Sequence, residues 1–440
     1  MKAVILQRWL GCAAVFAIAA GSSGVAAAQA PANSSPTSRA ETVVIFPFEN
    51  AGREPGKDWL GEGLAELTAD RLEGHGPMVF TREERLAALE KLGLPAYSRF
   101  TRATMLKIAA EIDADYAVFG DFTPNGTGLR ITARVLSVNP PKLSQLMEEA
   151  GTLENLGEVD ARISWRVFCQ IHSALALDAP CDATTPAARQ FLSAGSRIRP
   201  DALERFVRGL LASKDDAKLA EFREAAKLDP EWDEPVYATG KIYYARMECE
   251  SALSWFTRVP AGSPHAKDAS FAAGVCRLAQ NDPLGAESVF AALAGHAGPA
   301  PPPRPEVPEV ANNLGAAVLR QARYKDALPD FEKAKQLDPG EPDYWFNVGL
   351  AEYLLGDWGA AGRALREALR LQPEAQDARA LLLAALDHNG ETEEANALRA
   401  DAPPRDPTDV RPRQDIPRMN ATALSKMARV RREMNAGAAR

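Results

Sequence analysis

Ala311–Pro339 reads ANNLGAAVLRQARYKDALPDFEKAKQLDP, and Tyr344–Pro373 reads YWFNVGLAEYLLGDWGAAGRALREALRLQP. Shifting Gly315, Ala327, Phe331, Ala334 and Pro339 on by 34 residues gives Gly349, Ala361, Leu365, Ala368 and Pro373. Four of those five are identical, and the fifth stays apolar. A fixed period of this length is the signature of stacked supersecondary units, each unable to bury its apolar face alone. The pattern within one period predicts a pair of helices. Small residues at Gly315 and Ala327 let the two helices approach, Phe331 fills the space between successive pairs, and Pro339 ends the second helix.

The same test works upstream. Gly240, Ala252 and Phe256 become Gly274, Ala286 and Phe290. The two blocks are out of step by seven residues, and the proline-rich stretch 297–308 (AGPAPPPRPEVP) accounts for the slip as an extended insertion. Repeats begin near Arg199, Asp233, Lys267, Pro308 and Pro342, and a shorter sixth runs from Gln376 to about Ala402. The first is degraded: Phe222, Ala225 and Pro230 fit, but the small residue of its first helix is missing from its place.

In period, order and residue type these segments resemble tetratricopeptide repeats. The resemblance implies an all-α superhelix, an α-solenoid, over residues 185–402, with a concave groove lined by the first helix of each hairpin. On that groove it places Tyr237, Lys241, Tyr244, Phe271, Asn313, Phe346, Asn347, Leu350 and Tyr353. Asn313 and Asn347 stand where many such repeats use an amide against a bound peptide backbone, since an amide both donates and accepts. Lysines that would clamp a C-terminal carboxylate are absent from their expected places, which Asn312 and Phe346 occupy. The implied partner is a protein or peptide.

Ahead of the repeats, residues 41–150 read as a small α/β domain. Thr42 to Phe48 is an apolar run of strand length. Leu60, Leu64, Leu67 and Leu72 share a helical face. Met78 to Phe80 is a short strand, and Thr81 with Glu84 forms a capping box that opens a second helix. A third helix spans about Thr101 to Ile112. Strands Tyr116 to Phe122 and Leu129 to Val138 are joined at Asn125 and Gly126, a strong hairpin signal. A further strand is expected near Leu143 to Glu149, and a helix from about Asn155 leads through 151–184 to the repeats. This order, with VIFPFEN at 44–50, WLGEGL at 59–64, Arg82, Glu83 and DADYAVFG at 113–120, resembles TolB-like amino-terminal domains. That resemblance implies interaction or sensing and supplies no catalytic residues.

The first thirty residues read as an export signal. Lys2 and Arg8 precede the apolar run 9–20, and Ala28, Gln29 and Ala30 fit a small-x-small cleavage site. The run falls short of the ~20 residues that span a bilayer, and membrane association is not expected. The mature chain, beginning with a linker over 31–40, is expected outside the cytoplasm. The alternative is a lipid anchor at Cys12, because Leu10, Gly11 and Cys12 loosely resemble a lipobox. Cys169, Cys181, Cys249 and Cys276 remain after cleavage and permit two disulfides. The start of one second helix carries Cys249, and the next first helix carries Cys276, so the stack makes them neighbours and leaves Cys169 with Cys181. Four buried thiols are the other reading.

Charge excludes one class of partner. The whole chain carries −8, of which residues 1–30 hold +2 and 403–440 hold +5, leaving −15 on residues 31–402. An acidic body is unsuited to nucleic acid. The tail 403–440 is basic and proline-rich, and Leu424, Met427, Val430 and Met434 would stripe a short helix in it. Enzymatic motifs fail. Gly61 and Gly63 suggest a dinucleotide loop, but Glu66 holds the place of its third glycine. No P-loop, nucleophile elbow or zinc-binding His pair occurs, and no cofactor or metal is expected. The reading is a non-catalytic scaffold in the cell envelope. The alternative is a sensor whose α/β domain binds a small molecule or glycan and signals through the repeats.

Overall fold

A computed structural model describes residues 41–96, 99–172, 184–193, 198–295 and 307–400. The export signal, the linker, Cys12, Cys181, most of the proline-rich insertion and the basic tail lie outside the described residues.

The first part is a mixed sheet with helices on both faces. Its elements are β1 (Thr42–Ile45), β2 (Glu49–Asn50), α1 (Trp59–Glu73), β3 (Met78–Val79), α2 (Arg82–Lys91), α3 (Arg102–Glu111), β4 (Tyr116–Asn125), β5 (Gly128–Ser137), β6 (Lys142–Leu143), β7 (Met147–Thr152) and α4 (Leu156–His172). The sheet order is β3-β1-β4-β5-β6, with β2 added on β4 and β7 on β5. β1 runs parallel to β3 and β4, while β4 and β5 form an antiparallel hairpin closed by the pair Asn125 and Gly128. Gly126 takes a φ of 62° at that turn, a conformation open to glycine at no steric cost.

Alternation along the strands sorts the core into two faces. Val43, Ile45, Val118 and Ile131 join Leu60, Leu64 and Val159 of α1 and α4. Val44, Phe46 and Ala117 join Leu89, Met105 and Ile108 of α2 and α3. Burial on both sides explains why the first strand reads as a continuous apolar run. The strand expected near Leu143 to Glu149 is divided instead. β6 pairs Leu143 with Leu136, and β7 pairs Met147 with Ala133, so one extra residue intervenes. Ser144 fills the gap with its hydroxyl, which accepts from the amide of Val135 at 2.9 Å.

The helix α1 is fastened to α4 by a buried ion pair. Arg71 Nε donates to Asp160 at 2.8 Å, Arg71 Nη2 to the Gly157 carbonyl at 2.8 Å, and Thr68 to Asp160 at 3.1 Å. Burial still outweighs the guanidinium and pushes the Asp160 carboxyl up to about 6.

Among the described residues, α5 (Pro186–Ser193) is followed by six helical hairpins, a tetratricopeptide-type array: α6 (Pro200–Leu211) with α7 (Asp215–Leu228), α8 (Glu234–Ala245) with α9 (Cys249–Phe256), α10 (Ala266–Ala279) with α11 (Pro283–Leu293), α12 (Pro308–Leu319) with α13 (Tyr324–Leu337), α14 (Pro342–Leu355) with α15 (Trp358–Leu371), and α16 (Gln376–Asn389) with α17 (Thr392–Ala400). The glycine's role is direct. A Cβ on Gly240 would lie 2.6 Å from the Phe256 ring, and one on Gly315 2.8 Å from Phe331. The first hairpin obeys the same rule, which corrects the expectation that its small residue is missing. Gly209 packs on Phe222, one helical turn beyond the periodic position, where Phe206 stands. Cys249 and Cys276 are joined by a disulfide with Cα atoms 5.0 Å apart, tying α9 to α10.

The first hairpin also belongs to the α/β core. Leu203, Phe206, Val207 and Phe222 form one apolar cluster with Leu60, Leu64 and Leu67. Among the described residues no helix is long and apolar enough to cross a membrane.

Candidate functional site

The carboxylates Glu62, Glu66 and Asp70 recur every four residues on α1, so they share one helical face. Glu62 is consumed inside the domain, where it pairs with Arg85 and lies 3.3 Å from Arg82. Glu66 and Asp70 open into a cleft of about 820 Å³ between α1, the start of α2 and the first two hairpins. The opposite wall comes from the turn Asp229–Glu234 (DPEWDE), from α8 and from the start of α10. Pro235 inside the first turn of α8 fixes where that turn ends and the helix begins.

Part of the cleft lining is apolar. Phe206 stands 5.2 Å from Phe222 and 5.0 Å from Trp232, centroid to centroid, and Ile242 continues the surface. Much of the rest, on α1 and on the wall opposite it, is acidic. Ten carboxylates line the cleft against four Lys or Arg side chains, and two of those four, Arg82 and Arg85, are already paired with Glu62.

Burial first, and neighbouring carboxylates second, set the electrostatics of Glu66 and Asp70. Glu66 is half-buried, and Asp70 is exposed, but what they face is the cleft. Its walls displace part of the water that would hydrate a carboxylate on an open surface. Burial, then Glu62, push the Glu66 carboxyl up to about 8, against the pull of Arg85. Burial, then Glu234 across the cleft, also raise Asp70, while His265 and Arg71 oppose. His265 contacts Glu234 and stacks on Tyr237 at 4.3 Å, with planes 8° apart. Lys241 Nζ sits 5.5 Å from the Tyr237 ring centre.

Two residues that the sequence places on the groove, Tyr237 and Lys241, therefore line this cleft. Tyr237 is buried and Lys241 is exposed. Tyr244 is buried further along α8, and burial pushes its hydroxyl up to about 12. The rest lie elsewhere. Phe271, Phe346 and Leu350 are part of the apolar cluster that runs through the array, and Tyr353 packs half-buried against it. Asn313 and Asn347 are fully buried. The Asn347 amide donates to Asn312 at 2.7 Å, and Asn312 contacts Asn313 at 3.3 Å, a chain of amides from α14 to α12. Cys169 is buried on α4, and its expected partner Cys181 lies outside the described residues. Glu66, Asp70, Trp232, Glu234 and His265 were not among the sequence candidates. The four-residue spacing on α1 and the four carboxylates around Trp232 in DPEWDE are the signals that could have found them.

Residues 277–342 and 314–386 each match a tetratricopeptide repeat model. No curated protein matches the chain. Among solved structures, the chain is similar to YrrB, described as a TPR protein with an unusual peptide-binding site. Identity there is 18%, over 40% of this chain and 88% of that one, with a TM-score of 0.34. It is also similar to the MamA protein (15% identity, 38% and 88%, TM-score 0.34) and to MamA from residue 41 to its end from Desulfovibrio magneticus RS-1 (18%, 38% and 91%, TM-score 0.35).

Proposed function

We propose that this tetratricopeptide-repeat protein is a non-catalytic scaffold exported from the cytoplasm, and that it holds a protein or peptide partner in the cleft between its α/β domain and its first two hairpins. Repeat arrays of this kind generally serve to bind proteins or peptides over an extended surface. The single observation that carries the reading is the cleft, which combines an apolar wall with an excess of carboxylates and is large enough to receive side chains of a partner. Export rests on the signal-like residues 1–30. The TolB-like resemblance of 42–150 fits a role in interaction.

A sensor remains the second reading, and one observation favours it. Glu66 and Asp70 come from α1 of the α/β domain, whereas Glu234 and Tyr237 come from the repeats. An occupant of the cleft would touch both bodies at once and could report its presence from one to the other.

Site-specific photo-crosslinking tests the proposal. A photoreactive residue at Lys241 in the cleft is compared with one at Leu284, exposed on α11. The expected outcome is a discrete partner adduct from position 241 and none from 284. Adducts from both positions alike, or from neither, would reject the cleft as the partner site. Fusing residues 1–30 to a reporter and fractionating the cells tests export.

A further inference from the structure

The chemistry of the cleft narrows what it can hold. An anionic segment would meet ten carboxylates with only four Lys or Arg side chains to offset them. A purely apolar segment would cover Phe206, Trp232 and Ile242 but strip the remaining water from Glu66 and Asp70 without supplying a partner for either. A positive side chain with an apolar neighbour satisfies both walls.

We infer that the cleft takes a lysine or arginine side chain of the partner between Glu66 and Asp70 on α1 and Glu234 on α8, with an adjacent apolar residue of the same segment against Phe206, Trp232 and Ile242. This rests on the reading of the cleft as the partner site. The two acidic walls face one another: Glu234 acts on the proton affinity of both Glu66 and Asp70. His265 already contacts Glu234 from the far side. A bound ammonium or guanidinium placed between the walls would add charge-assisted hydrogen bonds, each stronger than a neutral one.

Proton linkage follows. Glu66 faces Glu62 on its own helix, Arg85 and Glu83 on α2, and Glu234 on α8. In the empty cleft it keeps its proton to about 8. An arriving cation favours the carboxylate, so binding near neutral pH releases a proton and tightens as pH rises through that value.

The experiment uses the full chain and a labelled, capped peptide of alternating leucine and lysine, with a leucine–glutamate peptide as counterpart. Fluorescence anisotropy should register binding of the lysine peptide alone. Affinity should fall about tenfold in Glu66→Gln and again in Asp70→Asn, the size of one charge-assisted hydrogen bond. Asp216→Asn, which removes an exposed carboxylate outside the cleft, should leave it unchanged. Calorimetry in two buffers of different ionisation enthalpy should show proton release that Glu66→Gln abolishes. Equal binding of both peptides, or equal loss in Asp216→Asn, overturns the inference. So does a gain in affinity after residues 401–440 are removed, since the occupant would then be the chain's own basic tail. If the lysine peptide fails to bind while position 241 still crosslinks a partner, this inference alone falls. Without a crosslink at position 241, the reading beneath it falls too.

Discussion

Glu66 is the residue at which stability and binding pull in opposite directions. Its carboxyl is raised from an ordinary 4.5 to about 8 in the folded chain, chiefly by burial. Folding therefore binds the proton more tightly than unfolding does. The stabilisation is fully present below about pH 4.5 and is lost as pH rises through about 8. Glu66→Gln removes the charge but keeps the shape. Its melting temperature should match the parent at about pH 4.5 and exceed it at about pH 9, where the parent must hold a poorly hydrated carboxylate. Thermal melts by circular dichroism at both pH values check this, and equal curves at the higher one would refute it. The sequence half-disclosed this residue. Glu66 stood out only as the residue that breaks a glycine motif, because spacing on one helix cannot say what packs across from it. Asp229, Glu231, Asp233 and Glu234 were equally visible as a charged run, and an exposed turn would read the same way. What made them a wall was the first hairpin folding back on α1.

At the level of single elements the hairpins were far more legible, because the physics that repeats is local. A helical glycine and an aromatic sixteen residues later meet wherever the two helices cross closely, as with Gly240 and Phe256, Gly274 and Phe290, and Gly315 and Phe331. Reading at that fixed spacing missed the first hairpin's glycine, since Gly209 has moved a turn along to make room for Phe206 beneath Trp232. The sheet was legible where strands alternate or run apolar; it was misread where the run Thr42 to Phe48 ends as β1 at Ile45 and β2 follows at Glu49–Asn50 to pair with β4, and where Ser144 inserts an extra residue between β6 and β7. Substituting alanine for glycine separates helix propensity from packing. A Cβ on Gly362 of α15 would come 3.3 Å from Arg366 Nη1, the guanidinium nitrogen outside that side chain's bonds to Glu391 and Glu394, and 3.9 Å from Leu382. Gly362→Ala should stabilise by up to ~1 kcal/mol through the helix preference for alanine. Gly315→Ala gains the same preference, but its Cβ falls 2.8 Å from two carbons of the fully buried Phe331 ring. Overpacking of ~1–3 kcal/mol outweighs the gain and should leave it net destabilised. Chemical denaturation of both variants gives the two signs, and the same sign in both would mean that the close approach does not govern the hairpin.

Across the whole molecule, the boundary between sheet and repeats is chemical rather than physical. Composition and period change near the start of the first hairpin, so the sequence invites a cut there, with each part folding alone. The packing resists that cut. Leu203, Phe206 and Val207 of α6 and Phe222 of α7 lie in one apolar cluster with Leu60, Leu64 and Leu67 of α1. Val207 approaches Gly63 closely enough that a Cβ there would be 3.4 Å away. Later hairpins lean mainly on their neighbours, so stability along them is close to a sum of local terms. The first hairpin instead takes a large share of its burial from the α/β domain, at ~25 cal/mol for each Å² of apolar surface removed from water. Hydrogen exchange on two chains resolves the difference. In residues 31–440 the amides of α6 and α7 should exchange as slowly as those of α12 to α15. In a fragment beginning at residue 185, α12 to α15 should keep their protection, while α6 and α7 become the fastest-exchanging helices of the array. The site itself would then be lost with the domain, because α1 supplies one acidic wall of the cleft and α8 the other, and only the shared core holds them face to face. Equal protection of α6 and α7 in both chains would mean that the first hairpin stands on its own and that the cleft is a loose contact between independent bodies.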